Sequence, residues 1–83
     1  MRFTVVWLKT VHEDVGNIWL SSKDRNAVTA ATAEIDRELA VDAQSKGSEL
    51  SEGLRVYEAD PLRAVYSVDI PNRIVEVSRI RLR

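Results

Sequence analysis

The chain opens on an apolar, β-branched run, Phe3-Thr4-Val5-Val6-Trp7-Leu8, which predicts a first strand. Thr10-Val11-His12-Glu13 then has capping-box spacing: a Thr oxygen for a free backbone N–H, and a Glu three residues on to reach back. Val11, Val15, Ile18 and Trp19 follow at helical spacing, predicting a helix over about 10–21. Gly16 lies inside it at a cost of about 1 kcal/mol against Ala, which predicts a close packing contact there. Ser22-Lys23-Asp24 interrupts the pattern and offers a fresh N-cap. Val28, Ala31, Ile35 and Leu39 repeat next, predicting a second helix over about 24–44 that ends near Gly47. The short break between the helices implies an antiparallel hairpin, and residues 45–53 read as a polar loop.

After Gly53 the period becomes 2. Leu54–Ala59, Leu62–Ile70 and Arg73–Leu82 read as strands, with turns at Asp60-Pro61 and Ile70-Pro71-Asn72. In the middle strand Leu62, Ala64, Tyr66, Val68 and Ile70 share the face that should pack on the hairpin, and Arg63, Val65, Ser67 and Asp69 share the other. The expected order is β-α-α-β-β-β: an α+β fold, one antiparallel sheet with two helices on one face. At 83 residues this is a single domain, spanning 1–83, with a small core.

Composition narrows the chemistry. There is no Cys and one His, His12, so disulfides, thiolate metal sites and multi-His zinc sites are excluded, and no cofactor is expected. No apolar run is long enough to span a membrane, and no signal-like segment opens the chain; the expectation is a cytoplasmic protein. Net charge is −1 with a pI near 5.8, which argues mildly against a dedicated nucleic-acid binder. That balance hides an asymmetry: residues 1–54 sum to −3 and residues 55–83 to +2, and every cation in the second part is Arg. Arginine suits bidentate contact with phosphate or carboxylate.

Arg55, Arg63, Arg79 and Arg81 therefore read either as a phosphate-facing cluster, as exposed sheet arginines paired with Glu58, Asp69 or Glu76, or as receptors for a partner's acidic residues. Tyr57 alternates with Arg55, which would put it on the outer face as the better general-acid candidate, whereas Tyr66 falls on the core face. His12 and Glu13 read as a cap and its neighbour, Lys23-Asp24-Arg25 as a helix start, and Trp7 and Trp19 as core rather than binding hot spots. An apolar groove between hairpin and sheet, built from Val11, Val15, Leu39 and Leu54, should accept a partner segment.

The order and spacing of several segments carry a resemblance. They are Val5-Val6-Trp7-Leu8, Ile18-Trp19-Leu20, Ala33-Glu34-Ile35-Asp36-Arg37-Glu38-Leu39-Ala40, Gly53-Leu54-Arg55, Pro61-Leu62-Arg63-Ala64-Val65-Tyr66-Ser67-Val68-Asp69 and Ile74-Val75-Glu76-Val77-Ser78-Arg79-Ile80. Together they resemble the RelE/ParE superfamily of bacterial toxins from type II toxin–antitoxin operons, also labelled plasmid stabilisation proteins. The resemblance covers nearly the whole chain. It implies a small toxin held inactive by a cognate antitoxin. RelE-like members cut mRNA on the ribosome without a metal, and ParE-like members inhibit DNA gyrase. By motif, Arg55 and Arg63 match sheet positions that stabilise the transferring phosphate, and Arg81 matches a C-terminal position where active members carry Arg or His. The tail departs from the pattern: Arg79-Ile80-Arg81-Leu82-Arg83 lacks the Tyr or His that active members commonly place there. Three readings stay open: an mRNA endonuclease using Arg55, Arg63, Arg81 and Tyr57; a gyrase inhibitor without chemistry; and a non-toxic antitoxin-binding module.

Overall fold

The computed structural model describes residues 2–83. The elements run β1 (Thr4–Trp7), α1 (Lys9–Ser21), α2 (Arg25–Leu39), a 3₁₀ turn (Ala43–Ser45), β2 (Ser48–Ser51), β3 (Leu54–Ala59), β4 (Leu62–Asp69) and β5 (Ile74–Leu82). The strands form one sheet in the order β1-β5-β4-β3-β2, and the hairpin α1–α2 packs on one face of it. The α+β class and the hairpin-on-sheet layering are as expected. The sheet differs in two respects. It has a fifth strand, and β1 pairs with β5 in parallel, so only the other three pairings are antiparallel. The extra strand, β2, was hidden because its Ser-Glu-Leu-Ser run is exposed throughout and carries no alternation. It forms because the turn at Glu52-Gly53 folds it back on β3.

Local chemistry sets the helix ends. Trp7 closes β1, and the Leu8 carbonyl then accepts from both Val11 N and His12 N at 2.9 and 3.0 Å. The helix thus begins at Lys9, too early for Thr10 to cap it, and the expected capping box does not form. Asp24 does cap α2, its carboxylate accepting from Ala27 N at 3.0 Å. That helix stops at Leu39, earlier than its periodicity suggested. Ala40 O accepts from Phe3 N at 2.8 Å, and Asp42 turns left-handed at φ 50°, so the chain is turned beside the N-terminal strand.

The core lies between hairpin and sheet. Val11, Val28, Ile35 and Leu39 from the helices meet Leu62, Tyr66, Val75, Val77 and Ile80 from the strands, all at most 2% exposed. Burying each such side chain contributes about 1.5–3 kcal/mol. A bulge in β5 keeps this face apolar. Val65 pairs with Arg79 but Tyr66 pairs with Val77, which leaves Ser78 as an extra residue. Val75 and Val77 point inward, and after the bulge Ile80 does too, so Arg79 and Arg81 face out. Strict alternation from Val77 would have put Arg79 in the core.

Gly47 sits at φ +62°, and an added Cβ would lie 2.0 Å from Val56 O. Gly53 has φ +80° with open space around it. Gly53→Ala is expected to cost about 1–2 kcal/mol for the left-handed backbone alone. Gly47→Ala adds an overpacking penalty and should cost about 3 kcal/mol or more. Urea unfolding of the two variants measures the difference, and equal losses would refute the close-approach argument.

Candidate functional site

The expected arginine cluster is split between two faces of the sheet. Tyr57 packs against the core, so Arg55, two residues away on β3, lies on the helix side as well. There its guanidinium donates to Lys46 O at 2.9 and 3.0 Å and to Gly47 O at 3.3 Å. Tyr66, directly across on β4, donates its hydroxyl to Ala43 O at 3.0 Å and Lys46 O at 2.7 Å. Both side chains are consumed in pinning the connection from α2 to β2. Arg55 is a clamp on that loop, so the expectation that it shares a phosphate-facing surface with Arg63 is corrected. The reason is alternation: with Val56 pointing out, Arg55 and Tyr57 must point in.

Tyr57 is corrected with it. Its hydroxyl donates to Glu34 Oε2 of α2 at 3.0 Å, on the side away from Arg63. Burial, then the adjacent Glu34 carboxylate, pushes its pKa up to about 12. Tyr66 occupies the core face as expected; burial raises its pKa, and the neighbouring Arg55 works against that rise.

The outer face carries the remaining arginines. Glu58, Arg63 and Arg81 form a row across β3, β4 and β5, and Arg79 sits beside Val65 one step along. Arg63 Nε and Nη2 both donate to Glu58 Oε2, at 3.0 and 2.8 Å. Arg83 Nη2 lies 3.6 Å from Glu58 Oε1, and Arg83 Nη1 lies 3.5 Å from Asp60 Oδ1. The Arg63 hydrogen bonds hold the Glu58 carboxyl below the usual carboxylate range. The side chains of Arg79 and Arg81 make no ion pair among the described residues. With Arg63 and Arg83 on the Glu58 carboxylate and Arg79 and Arg81 unpaired beside them, this end of the outer face is cationic and suited to an anionic ligand.

The apolar surface lies elsewhere than expected. Val11 and Leu39 are sealed in the core at 1% and 0% exposure. Leu54 lines a small polar pocket of ≈ 220 Å³ with Glu49 and Arg55. Only Val15 of the four predicted residues lines the main cleft, of ≈ 560 Å³, which opens between α1 and α2. Its walls include Trp7, His12, Gly16, Trp19, Thr32 and Asp36. A Cβ on Gly16 would meet nothing within 4 Å, so that glycine marks open space and not the tight contact expected of it. Trp19 is 38% exposed, so it is not a core residue either. Arg25 stacks 4.7 Å from the Trp19 ring centroid and donates to Trp19 O and Leu20 O, fixing the rim. At the far end Trp7 Nε1 donates to Asp36 Oδ1 at 3.1 Å, and the Trp7 and His12 rings lie 6.2 Å apart. The signal for this cleft was present in the sequence: a glycine three residues before a tryptophan on one helix face. Core packing was the competing reading.

Among the described residues no group of His, Asp and Glu could hold a metal ion, and no helix is long and apolar enough to cross a membrane.

No protein-family model and no curated protein matches the sequence. Solved structures do match it in fold. A chain of the RelBE2 toxin–antitoxin complex from Mycobacterium tuberculosis superposes with a TM-score of 0.81 at 17% identity, covering 100% of this chain and 93% of that one. A chain of the archaeal RelE–RelB complex from Pyrococcus horikoshii gives 0.70 at 15% identity, with 100% and 97% covered. A chain of the chromosomal ParDE system of P. aeruginosa gives 0.69 at 16% identity, with 98% and 96% covered.

The tyrosine placement has a measurable consequence. Because its folded-state pKa is raised, Tyr57 contributes stability that is complete below pH ~10 and is lost as pH rises toward 12. Phenolate absorbance should therefore show Tyr57 ionising near pH 12, and Glu34→Gln should shift that ionisation downward. An unshifted titration in the variant would contradict the contact.

Proposed function

We propose that this chain, which has the fold of RelE- and ParE-type proteins, is the toxin half of a type II toxin–antitoxin pair, bound and neutralised by a cognate antitoxin. The observation that carries this reading is the fold likeness over the full chain to three solved toxin–antitoxin complexes. An apolar cleft bearing two tryptophans supports it, because contiguous exposed apolar surface marks a binding site.

For the toxic action we favour binding over chemistry, as in the gyrase-inhibiting reading. Metal-free RNA cleavage needs a base, an acid and cations at one phosphate. Here Arg55 is bound to Lys46 O and Tyr57 to Glu34, on the face opposite Arg63. The outer arginines would then contact an anionic surface of the target. One observation favours the second reading, mRNA cleavage on the ribosome: Glu58 pairs with Arg63 and Arg83, with Arg81 next in the row on β5, as a base beside candidate phosphate ligands. Its lowered pKa makes it a weak base at neutral pH.

Induced expression in a bacterium should arrest growth, and co-expression of the protein encoded by the abutting reading frame should restore it. Harmless expression would leave the non-toxic binding module. In arrested cells, loss of DNA supercoiling without new mRNA ends is the expected result. New cuts at ribosomal A-site codons, reduced at least tenfold by Glu58→Gln or Arg63→Gln, would reverse the choice.

A further inference from the structure

The cleft on the hairpin is apolar at one end and charged at the other. We propose that it is a binding site for a small organic cation, a primary arylalkylamine whose ring lies beside Gly16 and Trp19 and whose ammonium meets Asp36.

Its dimensions suit a small molecule. The cleft holds ≈ 560 Å³, within the range of about 300–1,000 Å³ typical of small-ligand sites. The α1 wall runs from His12 to Trp19, about 10 Å at helical rise. That length takes one aromatic ring and a short alkyl arm. Thr32 spends its hydroxyl proton on Val28 O at 2.9 Å, inside α2, so it brings no free donor to the wall.

The lining orients the ligand. The hairpin brings Trp19, near the end of α1, across from Val28, near the start of α2, and His12 across from Asp36. At the Trp19 end a Cβ on Gly16 would meet nothing within 4 Å. A flat ring can lie against that bare backbone and reach the indole, a favourable aromatic contact. Arg25 already stacks 4.7 Å from the Trp19 ring centroid. A second cation placed there would meet like charge, so the ammonium belongs at the other end.

At that other end Asp36 is the one acidic residue of the lining, which holds no Lys or Arg. It accepts from Trp7 Nε1 at 3.1 Å and makes no other hydrogen bond or ion pair among the described residues. An ammonium supplies three donors and forms a charge-assisted hydrogen bond to such a carboxylate. The Trp7 and His12 rings stand beside it, 6.2 Å apart, and an indole is the side chain that attracts a cation most strongly. A carboxylate or phosphate ligand would be repelled by Asp36.

The probe is phenethylamine, titrated into the full chain at low salt while the indole N–H resonances of Trp7 and Trp19 are followed by NMR. Both should shift, and the amine should bind about tenfold tighter than 2-phenylethanol, which keeps the ring and arm without the charge. Asp36→Asn keeps an acceptor for Trp7 and should bring the amine down to the affinity of the alcohol, with its salt dependence lost. Gly16→Leu fills the open space and should abolish binding of both, with Tm unchanged or raised because Leu is the better helix former. Equal affinity of amine and alcohol for the wild-type chain would overturn the proposal. So would an unchanged amine affinity in Asp36→Asn, or indole resonances that stay put at the highest soluble amine concentration. No arm involves an antitoxin, so the toxin reading stands or falls separately.

Discussion

A single apolar layer holds this molecule together, and it can cover only one face of the sheet. A chain of 83 residues has too little hydrophobic surface for a second layer. The hairpin therefore takes one face, and every strand residue must choose a side. That choice, more than local propensity, decides which arginines are free. Arg55 falls inside and is consumed by two backbone carbonyls; Arg63, Arg79 and Arg81 fall outside and stay accessible. The Ser78 bulge is the device that makes the division possible in β5, since it resets alternation midway along the strand.

The same shortage of core material shapes the hairpin. Each helix contributes one apolar stripe, and both stripes are spent on the sheet. Toward Trp19, between the helices, Gly16 and Thr29 supply no bulk to close the gap. The two indoles line that gap; Asp36 accepts from the Trp7 N–H, and Arg25 stacks over the Trp19 ring. A partner that fills the cleft adds buried area to a protein with little of its own, and through mass action it stabilises the folded state. Binding at this cleft and folding are thus coupled in one surface.

The outer face offers a different interaction. Its ion pairs are exposed and screened by solvent, so each contributes little to stability. The molecule therefore carries two separable surfaces, an apolar cleft on the hairpin and a cationic patch behind the sheet.

The pattern along the chain determined the two helices, four of the five strands, the Asp24 cap and the core positions from Val28 to Tyr66. Those depend on burial at fixed spacing, which is written residue by residue. The parallel pairing of β1, the polar edge strand β2 and the end of α2 at Leu39 depended on contacts with distant segments, which no local pattern records. The candidate site was legible in its residue types and illegible in its geometry. Arg55, Arg63 and Arg81 were visible as sheet arginines. A β-strand shows its alternation but not which side the core will claim, and one bulged residue reverses the answer. Tertiary packing made that decision, because only the assembled hairpin defines an inside.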